Sequence, residues 1–329
     1  MATLVTGATG FLGSHIARKL VERGERVRIL LRKTSKTSNV EDINAERVYG
    51  DILDIESVRE ALKGCDILYH TAGLVSSKKK DHKMMEEINI KGTRNVLSTA
   101  LEAGIKKAVY TSSVAAIGVD PDGGLANEKT PFNLEHLGIP YVNTKYYAEK
   151  EAMKLYRKGL PLVIVNPSVA IGPGDIYLVS NGLIVWQLKG RFPGYTDGGI
   201  NIVDVSDVAE GHILAAERGR LGERYILGNV NLTIRECFDL LERVTGLPVP
   251  KWRIPYFMAL AMGFVSERVL RISTPSFIGR DVDSAKASRL YWYFDSSKAV
   301  RDLGFHQTPI DVTMERTVRW LKDFGYLDD

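Results

Sequence analysis

Three glycines spaced three residues apart, Gly7, Gly10 and Gly13, lie near the start of the chain, between an apolar run at residues 2–5 and a helical pattern. A strand that turns at once into a helix needs residues without a Cβ where its backbone approaches a ligand closely. The N-terminus of that helix presents unpaired N–H groups and the positive end of the helix dipole. The pattern therefore predicts a site for a dinucleotide pyrophosphate; the alternative is a tight strand-to-helix turn in another kind of α/β protein.

Strand-like and helix-like runs alternate through the first half of the chain. Apolar runs predict strands at residues 2–6, 27–31, 46–50, 67–71, 108–112 and 162–166, and helical spacing predicts helices at 14–23, 55–62, 84–103 and 142–158. Strands that alternate with helices pair in parallel, because each helix returns the chain to the same edge of the sheet. The sequence therefore predicts an α/β fold with a Rossmann-type doubly wound parallel sheet.

The alternation breaks after Pro167, where glycine and proline cluster at residues 171–175 and 192–199. Such clusters are typical of loops that shape a cleft. Residues 167–329 are therefore expected to form a smaller, C-terminal substrate-binding lobe.

Two later runs, at residues 201–205 and 224–227, again have the composition of strands. They indicate that about 200–228 returns to the nucleotide-binding domain formed by residues 1–166. The two domains are therefore expected to be interleaved, with a lobe helix at 233–246.

Charge and cysteine content bound the kinds of partner and compartment that suit the chain. The 329 residues include 44 basic and 40 acidic residues, a formal net charge of +4, which gives no reason to expect a nucleic-acid or anionic-membrane partner. Cys65 and Cys237 have neither metal-ligand spacing nor a disulfide framework, and the histidines show no metal spacing, so no metal is expected. Unpaired cysteines, together with a strand that begins at Ala2 and leaves no room for a signal peptide, predict a cytoplasmic protein.

The most apolar segment of the second half, residues 254–265, is too short to span a bilayer and is followed by Ser266-Glu267-Arg268. No membrane span is therefore expected. The interpretation that we favour is an amphipathic helix that covers a pocket.

Tyr141 and Lys145 are four residues apart in a helical stretch, hence on one helix face. An isolated tyrosine has a pKa of about 10, and a nearby ammonium group or oxidised nicotinamide lowers that pKa toward the range useful in acid–base catalysis. A surface pair is the alternative at this spacing. The position of Ser113 favours catalysis, because it follows a predicted strand at the edge where open α/β sheets bind ligands, and its hydroxyl can donate to a substrate oxygen.

Short motifs extend this pattern over nearly the whole chain. They are the glycine loop at 6–13, Gly-Asp-Ile-Leu-Asp at 50–54, His-Thr-Ala-Gly at 70–73, Asn-Ile-Lys-Gly-Thr at 89–93, Thr-Ser-Ser at 111–113, Tyr-Val-Asn-Thr-Lys at 141–145, Asn-Pro-Ser at 166–168, Gly-Pro-Gly-Asp at 172–175 and Val-Ser-Asp-Val-Ala at 205–209. Together they resemble the extended short-chain dehydrogenases/reductases of the NAD-dependent epimerase/dehydratase family. Within that family the chain is most similar to the dihydroflavonol 4-reductase-like branch.

The resemblance implies roles for particular residues. Tyr141 would be the general acid that protonates a carbonyl oxygen, Ser113 would position that oxygen, and Lys145 would hold the ribose hydroxyls and tune Tyr141. Asn89 would either steady the backbone near the site or cap a turn. The remaining residues that would contact the cofactor are Gly7, Thr9, Gly10, Phe11, Leu12, Gly13, Asp51, Ile52, Thr71, Ala72, Gly73, Ser112, Pro167 and Ser168.

The residues after the second predicted strand bear on the choice of nucleotide. An acidic residue there pairs with the ribose 2′-hydroxyl of NAD, whereas an arginine accommodates the additional phosphate of NADP. The sequence reads Leu-Arg-Lys-Thr-Ser-Lys at 31–36, with no carboxylate. Arg32 can form a forked contact with a phosphate, assisted by Lys33 or Lys36. The sequence therefore predicts a preference for NADP(H), with NAD(H) possible; a solvated basic loop is the alternative.

Absences narrow the reaction. Sugar 4,6-dehydratases of the family carry an Asp-Glu pair where this chain has Val114 and Ala115, and nucleotide-sugar enzymes often carry an Asn where it has Val169. Dehydration and nucleotide-sugar binding are thereby disfavoured. Aromatic candidates for the substrate pocket are Tyr177, Trp186 and Phe192, beside Ser113.

The function that the sequence predicts is NADPH-dependent reduction of a ketone or aldehyde on a small, hydrophobic substrate. A nucleotide-sugar epimerase with retained NAD is the alternative, and a catalytically silent nucleotide-sensing protein is a third hypothesis. The resemblance also implies a homodimer that pairs through the helices at 84–103 and 142–158.

Overall fold

The computed structural model describes residues 2–191, 193–265 and 282–328. Its strands are β1 (Ala2–Thr6), β2 (Arg26–Leu31), β3 (Glu46–Tyr49), β4 (Ile67–His70), β5 (Lys107–Thr111), β6 (Leu162–Pro167), β7 (Val169–Ile171), β8 (Gly199–Asp204), β9 (Arg224–Leu227), β10 (Val230–Thr233) and β11 (Tyr291–Trp292). Its helices are α1 (Phe11–Glu22), α2 (Ile55–Leu62), α3 (His82–Glu86), α4 (Thr93–Glu102), α5 (Pro140–Arg157), α6 (Gly182–Leu188), α7 (Val205–Arg218), α8 (Ile234–Thr245), α9 (Tyr256–Val265), α10 (Val282–Ala287), α11 (Ser297–Leu303) and α12 (Ile310–Asp323).

In the described part of the chain, seven strands form one sheet in the order β3-β2-β1-β4-β5-β6-β9, and every neighbouring pair is parallel. The chain winds from β1 outward to β3, then returns to β4 on the other side of β1 and winds away from it. A crevice opens where the winding reverses, above the carboxyl ends of β1 and β4, and open α/β sheets bind ligands there. The predicted Rossmann-type doubly wound sheet is confirmed.

Successive residues of the central strands face opposite sides of the sheet, so each strand contributes to two cores. Val5, Tyr69 and Val109 pack with α1, α7 and α11 on one face. Their neighbours Leu4 and Leu68 pack with α2, α4 and α5 on the other face. Burial on both faces explains why these strands are continuous apolar runs. It also fixes the position of their carboxyl ends, where the site lies.

A second, smaller sheet lies beyond β6. Its central strand, β8, pairs antiparallel with β10 and parallel with β7 and β11. Apolar residues of β8, α6, α8 and α12 form one core around it. The segment 200–228 is divided between the two sheets: β8 belongs to the small sheet, whereas β9 extends the large sheet and α7 packs beside α1.

The helix expected at 84–103 is interrupted in the structure. Between α3 and α4 the residues Glu87–Gly92 form a single wider, π-type turn. Such turns displace part of a helix face, and they occur frequently near functional sites. Asn89 lies within this turn rather than at a helix end.

The apolar segment at residues 254–265 contains the helix α9, in the region where the sequence predicts a helix. The exposed face of α9 carries Phe257, Met258 and Phe264, so the expectation of an amphipathic helix is wrong: its solvent side is as apolar as its inner side. Among the described helices, none combines the length and the hydropathy that crossing a membrane requires.

Candidate active site

The glycine loop joins β1 to α1 and lies in the crevice. Gly7 has a φ of +73°, and a Cβ at that position would lie 2.6 Å from the backbone nitrogen of Ala72. A Cβ on Gly13 would lie 2.3 Å from the carbonyl oxygen of Gly7. Both positions therefore require glycine, Gly7 for its left-handed backbone and Gly13 for close packing of helix on strand.

The first turn of α1 begins at Phe11, and neither an acidic residue nor a capping side chain satisfies its N–H groups. These N–H groups and the positive end of the helix face the crevice beside the glycine loop, an arrangement that suits a pyrophosphate. The residues present fit a dinucleotide cofactor.

The segment that follows β4 is hydrogen-bonded to the end of β1 and to Asn89. The Thr71 hydroxyl donates to the Thr6 carbonyl at 2.7 Å. Asn89 accepts a hydrogen bond from the Leu74 N–H at 2.8 Å, and its amide donates to the Leu74 carbonyl at 2.9 Å and to the Thr144 hydroxyl at 3.1 Å. Asn89 therefore ties the segment after β4 to α5, across the crevice.

At the opposite end of the crevice, Arg32 directly follows β2 and is exposed. Asp51 accepts a hydrogen bond from the Leu53 N–H at 2.9 Å, and Ile52 is buried against the helical layer. The Lys36 ammonium lies 5.7 Å from the centroid of the Tyr177 ring. This end of the crevice therefore combines cationic side chains with an apolar wall.

Ser113 and Tyr141 meet above the carboxyl end of β5. Ser113 is the second residue after that strand, and Tyr141 lies in the first turn of α5, which begins at Pro140. The Ser113 side chain interacts with the Tyr141 phenol, and the two residues line the same cavity. Ser113 Oγ also accepts a hydrogen bond from the Ala115 N–H at 3.1 Å, which fixes the direction of the serine side chain.

Lys145 lies one turn after Tyr141 on α5 and is buried. Its ammonium donates to the Thr111 carbonyl at 2.9 Å and lies 5.5 Å from the centroid of the Tyr110 ring. The structure thus brings the three expected catalytic residues to one place, with Lys145 anchored to the end of β5.

Burial shifts the pKa values of Tyr141 and Lys145 in the directions that favour their neutral forms. It raises the pKa of the Tyr141 phenol, although the hydrogen bond from Ser113 opposes that shift. It lowers the pKa of Lys145 to about 8, and the nearby carboxylate of Glu149 opposes that shift. Tyr141 is therefore a protonated phenol at neutral pH, the form that a general acid requires.

A cavity of about 650 Å³ begins at this pair of residues and extends into the C-terminal lobe. Ser113, Tyr141 and Ser168 line one end, and the buried Ser168 hydroxyl has no hydrogen-bond partner among the described residues. Among the described residues that line the cavity, none has a charged side chain. Its walls are mainly aliphatic and aromatic; they include Val169, Ile171, Leu183, Ile184, Ile200, Ile202, Phe238, Leu241, Trp292, Phe294 and Met314.

Comparison with known proteins decides the family. Residues 3–228 match the NAD-dependent epimerase/dehydratase family. The chain belongs to this family. Together with reductases and a dehydrogenase among its relatives, the family identifies the chain as an NAD(P)-dependent oxidoreductase, and the crevice fits a nicotinamide dinucleotide.

Individual relatives cover nearly the whole chain. A Synechocystis sp. protein provisionally named a dihydroflavonol 4-reductase is 40% identical, over 98% of this chain and 95% of its own. Sterol demethylase protein B of Methylococcus capsulatus is 33% identical, over 99% of this chain and 100% of its own. The crystal structure of gox2253 has a TM-score of 0.87 at 39% identity and covers 99% of both chains.

The aromatic residues expected in the substrate pocket are not gathered there. Tyr177 is 43% exposed beside Lys36, and neither it nor Trp186 is among the described residues that line the cavity. Phe192 lies outside the described residues. Tyr177 lies elsewhere because its loop is attached to the nucleotide-binding half: Asn39 donates to the Gly174 carbonyl at 3.0 Å, and a ring nitrogen of His15 lies 2.9 Å from the Pro173 carbonyl.

Sequence reasoning missed a buried polar group behind the catalytic residues. Glu149, one turn after Lys145, forms an ion pair with Arg224 at 2.9 Å and accepts a hydrogen bond from the Asn166 amide at 2.8 Å. The same amide donates to the Ser113 carbonyl at 2.9 Å. Glu149 is therefore linked to Ser113 through Asn166. The available signal was a carboxylate four residues after Lys145 on the same helix face.

Proposed function

We propose that this chain is an NADPH-dependent reductase that converts a ketone or aldehyde on a small, hydrophobic substrate to an alcohol. The observation that carries the proposal is the cavity, because a space whose described lining is uncharged and largely apolar ends at Ser113 and Tyr141. Pockets of this kind select apolar molecules, and their few polar groups orient the reacting atom.

In this mechanism the substrate carbonyl oxygen lies between the Ser113 and Tyr141 hydroxyls. The nicotinamide, when bound, supplies the hydride. Tyr141 donates its phenolic proton to the oxygen, and Ser113 donates a hydrogen bond that holds the oxygen in line. Lys145, anchored on the Thr111 carbonyl, provides positive charge one helical turn away and favours the phenolate left by proton transfer.

The cofactor would be held by backbone and side-chain groups of the nucleotide-binding half. The glycine loop and the first turn of α1 would bind the pyrophosphate, and Lys145 would bind the ribose hydroxyls. Arg32 would bind the 2′-phosphate of NADPH, assisted by Lys36, because both are cationic and neither Arg32 nor its neighbours through Lys36 offer a carboxylate for a 2′-hydroxyl. Ser168, whose buried hydroxyl has no partner in the part of the chain that the structure describes, would face the bound nicotinamide.

Named relatives support reduction of a hydrophobic carbonyl. Besides the two relatives described above, the chain is 30% identical to a ketoreductase of Stigmatella aurantiaca that acts on a farnesylated quinoline oxide, over 94% of this chain. It is also 30% identical to the 2-alkyl-3-oxoalkanoate reductase of Shewanella oneidensis, over 97% of this chain. The names of these two reductases both describe a carbonyl substrate with an apolar chain.

The competing function is epimerisation of a nucleotide sugar. A nucleoside-diphosphate-sugar epimerase from Pseudomonas aeruginosa is similar in structure, with a TM-score of 0.83 at 25% identity. A sugar nucleotide carries a diphosphate, which needs cationic or N–H-rich surroundings. The described lining of this cavity provides aliphatic side chains instead, with Val169 beside the catalytic end.

We also propose that the chain is a cytoplasmic homodimer whose subunits pair through the outer faces of α4 and α5. These helices pack side by side on one face of the sheet, and Tyr147 of α5 is 38% exposed. Sedimentation velocity of the purified protein tests this pairing; a single species at monomer mass across micromolar concentrations contradicts it.

The first experiment is to purify the protein without added nucleotide, denature it and identify any released nucleotide by mass spectrometry. Protein freed of nucleotide is then titrated with NADPH and NADH, and NADPH oxidation is followed with a panel of hydrophobic ketones and aldehydes. We expect little retained nucleotide, tighter binding of NADPH than of NADH, and turnover of members of the panel. NAD retained in equal amount to the protein, without carbonyl reduction, would establish the epimerase instead.

A further inference from the structure

The solvent side of α9 is an apolar surface. The helix reads Tyr-Phe-Met-Ala-Leu-Ala-Met-Gly-Phe-Val and contains no charged residue. Phe257 is 70% exposed and Phe264 is 54% exposed, and Trp252, just before the helix, is 80% exposed. A helix that is apolar on all sides is normally buried, and large exposed apolar patches mark interaction sites. The exposed residues Trp252, Phe257, Met258, Met262, Phe264 and Val265 are called the α9 face below.

This face is continuous with the substrate cavity. Met262 and Val265 line the cavity, yet they remain 39% and 47% exposed. A residue that both lines a cavity and meets solvent lies at its mouth. Ala259 and Gly263, on the inner side of the helix, line the cavity as well. The α9 helix therefore separates the cavity from the surroundings, and it presents apolar side chains to both.

Basic side chains border the same face. Lys251 and Arg253 flank Trp252 and are exposed, and the Arg289 guanidinium lies 5.0 Å from the centroid of the Tyr256 ring at the start of α9. Arg253 forms an ion pair with Asp197. Aromatic residues at the level of lipid headgroups, bordered by lysine and arginine, are typical of proteins that lie on anionic bilayers.

We propose that the α9 face rests on the surface of an anionic bilayer, and that the substrate is a membrane-dissolved carbonyl lipid that enters the cavity from the bilayer through the mouth at Met262 and Val265. The substrate part of this proposal rests on the reductase function proposed above, whereas the docking part does not. The near balance of charge over the whole chain does not argue against it, because attraction to headgroups depends on the charges within about 10 Å of the surface.

The position of the α9 face at the mouth of the cavity favours a bilayer over a second copy of the chain. A second copy would cover Met262 and Val265 and close the cavity, because both lie at its mouth. A bilayer can cover the same residues and remain a source of apolar substrate. Its fluid interior also accepts bulky side chains of unequal length, such as Trp252 and Phe257, without requiring a complementary surface.

The test is flotation of the full-length protein with vesicles of phosphatidylcholine and phosphatidylglycerol at a 3:1 molar ratio, and with phosphatidylcholine alone. We expect the protein to float with the anionic vesicles, and the variant Phe257→Ser/Phe264→Ser to bind them about tenfold or more weakly, because two buried aromatic rings are lost. The matched control is Tyr49→Ser/Leu125→Ser, which removes two side chains that are 54% and 57% exposed elsewhere. We expect the control to float like the wild type.

Failure to float, or equal flotation of the wild type and the α9 variant, would overturn the docking proposal. Sedimentation velocity is run on the same samples. An oligomer that dissociates in the α9 variant, while the wild type ignores vesicles, would assign the face to a second copy and would also overturn it.

This experiment tests bilayer docking and reductase function independently. The Tyr141→Phe variant should float like the wild type, because Tyr141 does not belong to the α9 face. Flotation without any carbonyl reduction would contradict the reductase function and leave docking intact. The substrate part is tested with a steroid ketone dissolved in the anionic vesicles and cyclohexanone in buffer: we expect the α9 variant to lose about tenfold in kcat/KM for the first relative to the second. An equal ratio in both proteins would overturn entry from the bilayer.

Discussion

The nucleotide-binding half and the C-terminal lobe build their sites from different materials. In the first half the site is largely backbone: a left-handed Gly7, the first turn of α1, and strand ends fixed in height by burial on both sheet faces. In the lobe the site is a space enclosed by side chains from β8, α6, α8, α9 and α12. A backbone site tolerates almost no added atom, whereas an apolar side-chain wall changes gradually with each substitution. Single substitutions in the nucleotide-binding half should therefore cause large losses of catalysis or cofactor binding. Single substitutions in the cavity wall should change substrate preference by small steps.

The largest loss is expected where the two halves meet. Tyr141→Phe removes the only proton that this residue offers to a carbonyl oxygen, so we expect kcat to fall by about 10²- to 10⁴-fold while NADPH still binds. The ring remains, so packing on Ser113 is retained.

The measurements are single-turnover NADPH oxidation and an NADPH titration. Tyr146→Phe, on the same helix with its ring stacked on Phe132 at 3.9 Å between centroids, is the matched control and should keep wild-type rates. Near-normal turnover of the Tyr141 variant would remove the tyrosine from the mechanism.

The backbone nature of the nucleotide site predicts the next largest effect. Gly7→Ala introduces a Cβ 2.6 Å from the Ala72 nitrogen, against backbone that cannot move aside. We expect NADPH binding, measured by fluorescence titration, to weaken by about 100-fold or more, because the pyrophosphate loop must distort.

Gly24→Ala is the control for backbone strain alone. Gly24 has a similar φ of +77°, but its added Cβ would meet nothing within 4 Å. We expect that variant to lose about 1–2 kcal/mol of stability with an unchanged Kd for NADPH. Equal Kd values for the two variants would show that the loop does not depend on close approach.

Nucleotide choice tests whether any side chain matters in the backbone-dominated half. Arg32→Asp replaces a cation with a carboxylate that pairs with a ribose 2′-hydroxyl and repels a 2′-phosphate. We expect the ratio of kcat/KM for NADPH over NADH to fall by about 10- to 100-fold, because a charge-assisted, forked contact is lost and a repulsion is gained. Arg26→Asp, at the other end of β2, is the control. An unchanged ratio would return Arg32 to the status of a solvated surface charge.

The contrast between the halves also explains how far the sequence could be read. The strands, the glycine loop and the Tyr141–Lys145 pair are local patterns, and local spacing fixes them. The expected positions of β1, α2 and β9 agree with the structure because apolar runs bounded by turn residues leave little choice of end. The sequence also predicted the family correctly, since its motifs are short and continuous.

The cavity wall is not local. It is assembled from elements more than a hundred residues apart, and an aromatic residue in a loop carries no mark of the side on which it will lie. Tyr177 illustrates this: its loop follows β7, yet the Asn39 side-chain amide donates to the Gly174 carbonyl and attaches the loop to the nucleotide-binding half. The ion pair of Glu149 with Arg224 spans 75 residues and has no signature in either neighbourhood.

The smallest predicted effect concerns Glu149, whose partner Arg224 lies at the start of β9, the strand that extends the large sheet after the chain has passed through β8 of the small sheet. The Glu149 carboxylate holds up the pKa of Lys145, which burial lowers to about 8. Glu149→Gln keeps an acceptor for Asn166 and removes the charge, so the pKa of Lys145 should fall further. If the protonated ammonium supports catalysis, wild-type kcat declines as pH rises through about 8, and the decline in the variant should begin about one pH unit lower. Glu151→Gln, which removes a carboxylate paired with Arg94 and Lys154 on the same helix, should leave the profile in place. A full pH profile of kcat for the three proteins separates the alternatives. Coincident profiles would mean that Glu149 only holds Asn166 and Ser113 in position, whereas a shift confined to Glu149→Gln would show that the Glu149 carboxylate tunes the charge of Lys145 beside the Tyr141 phenol.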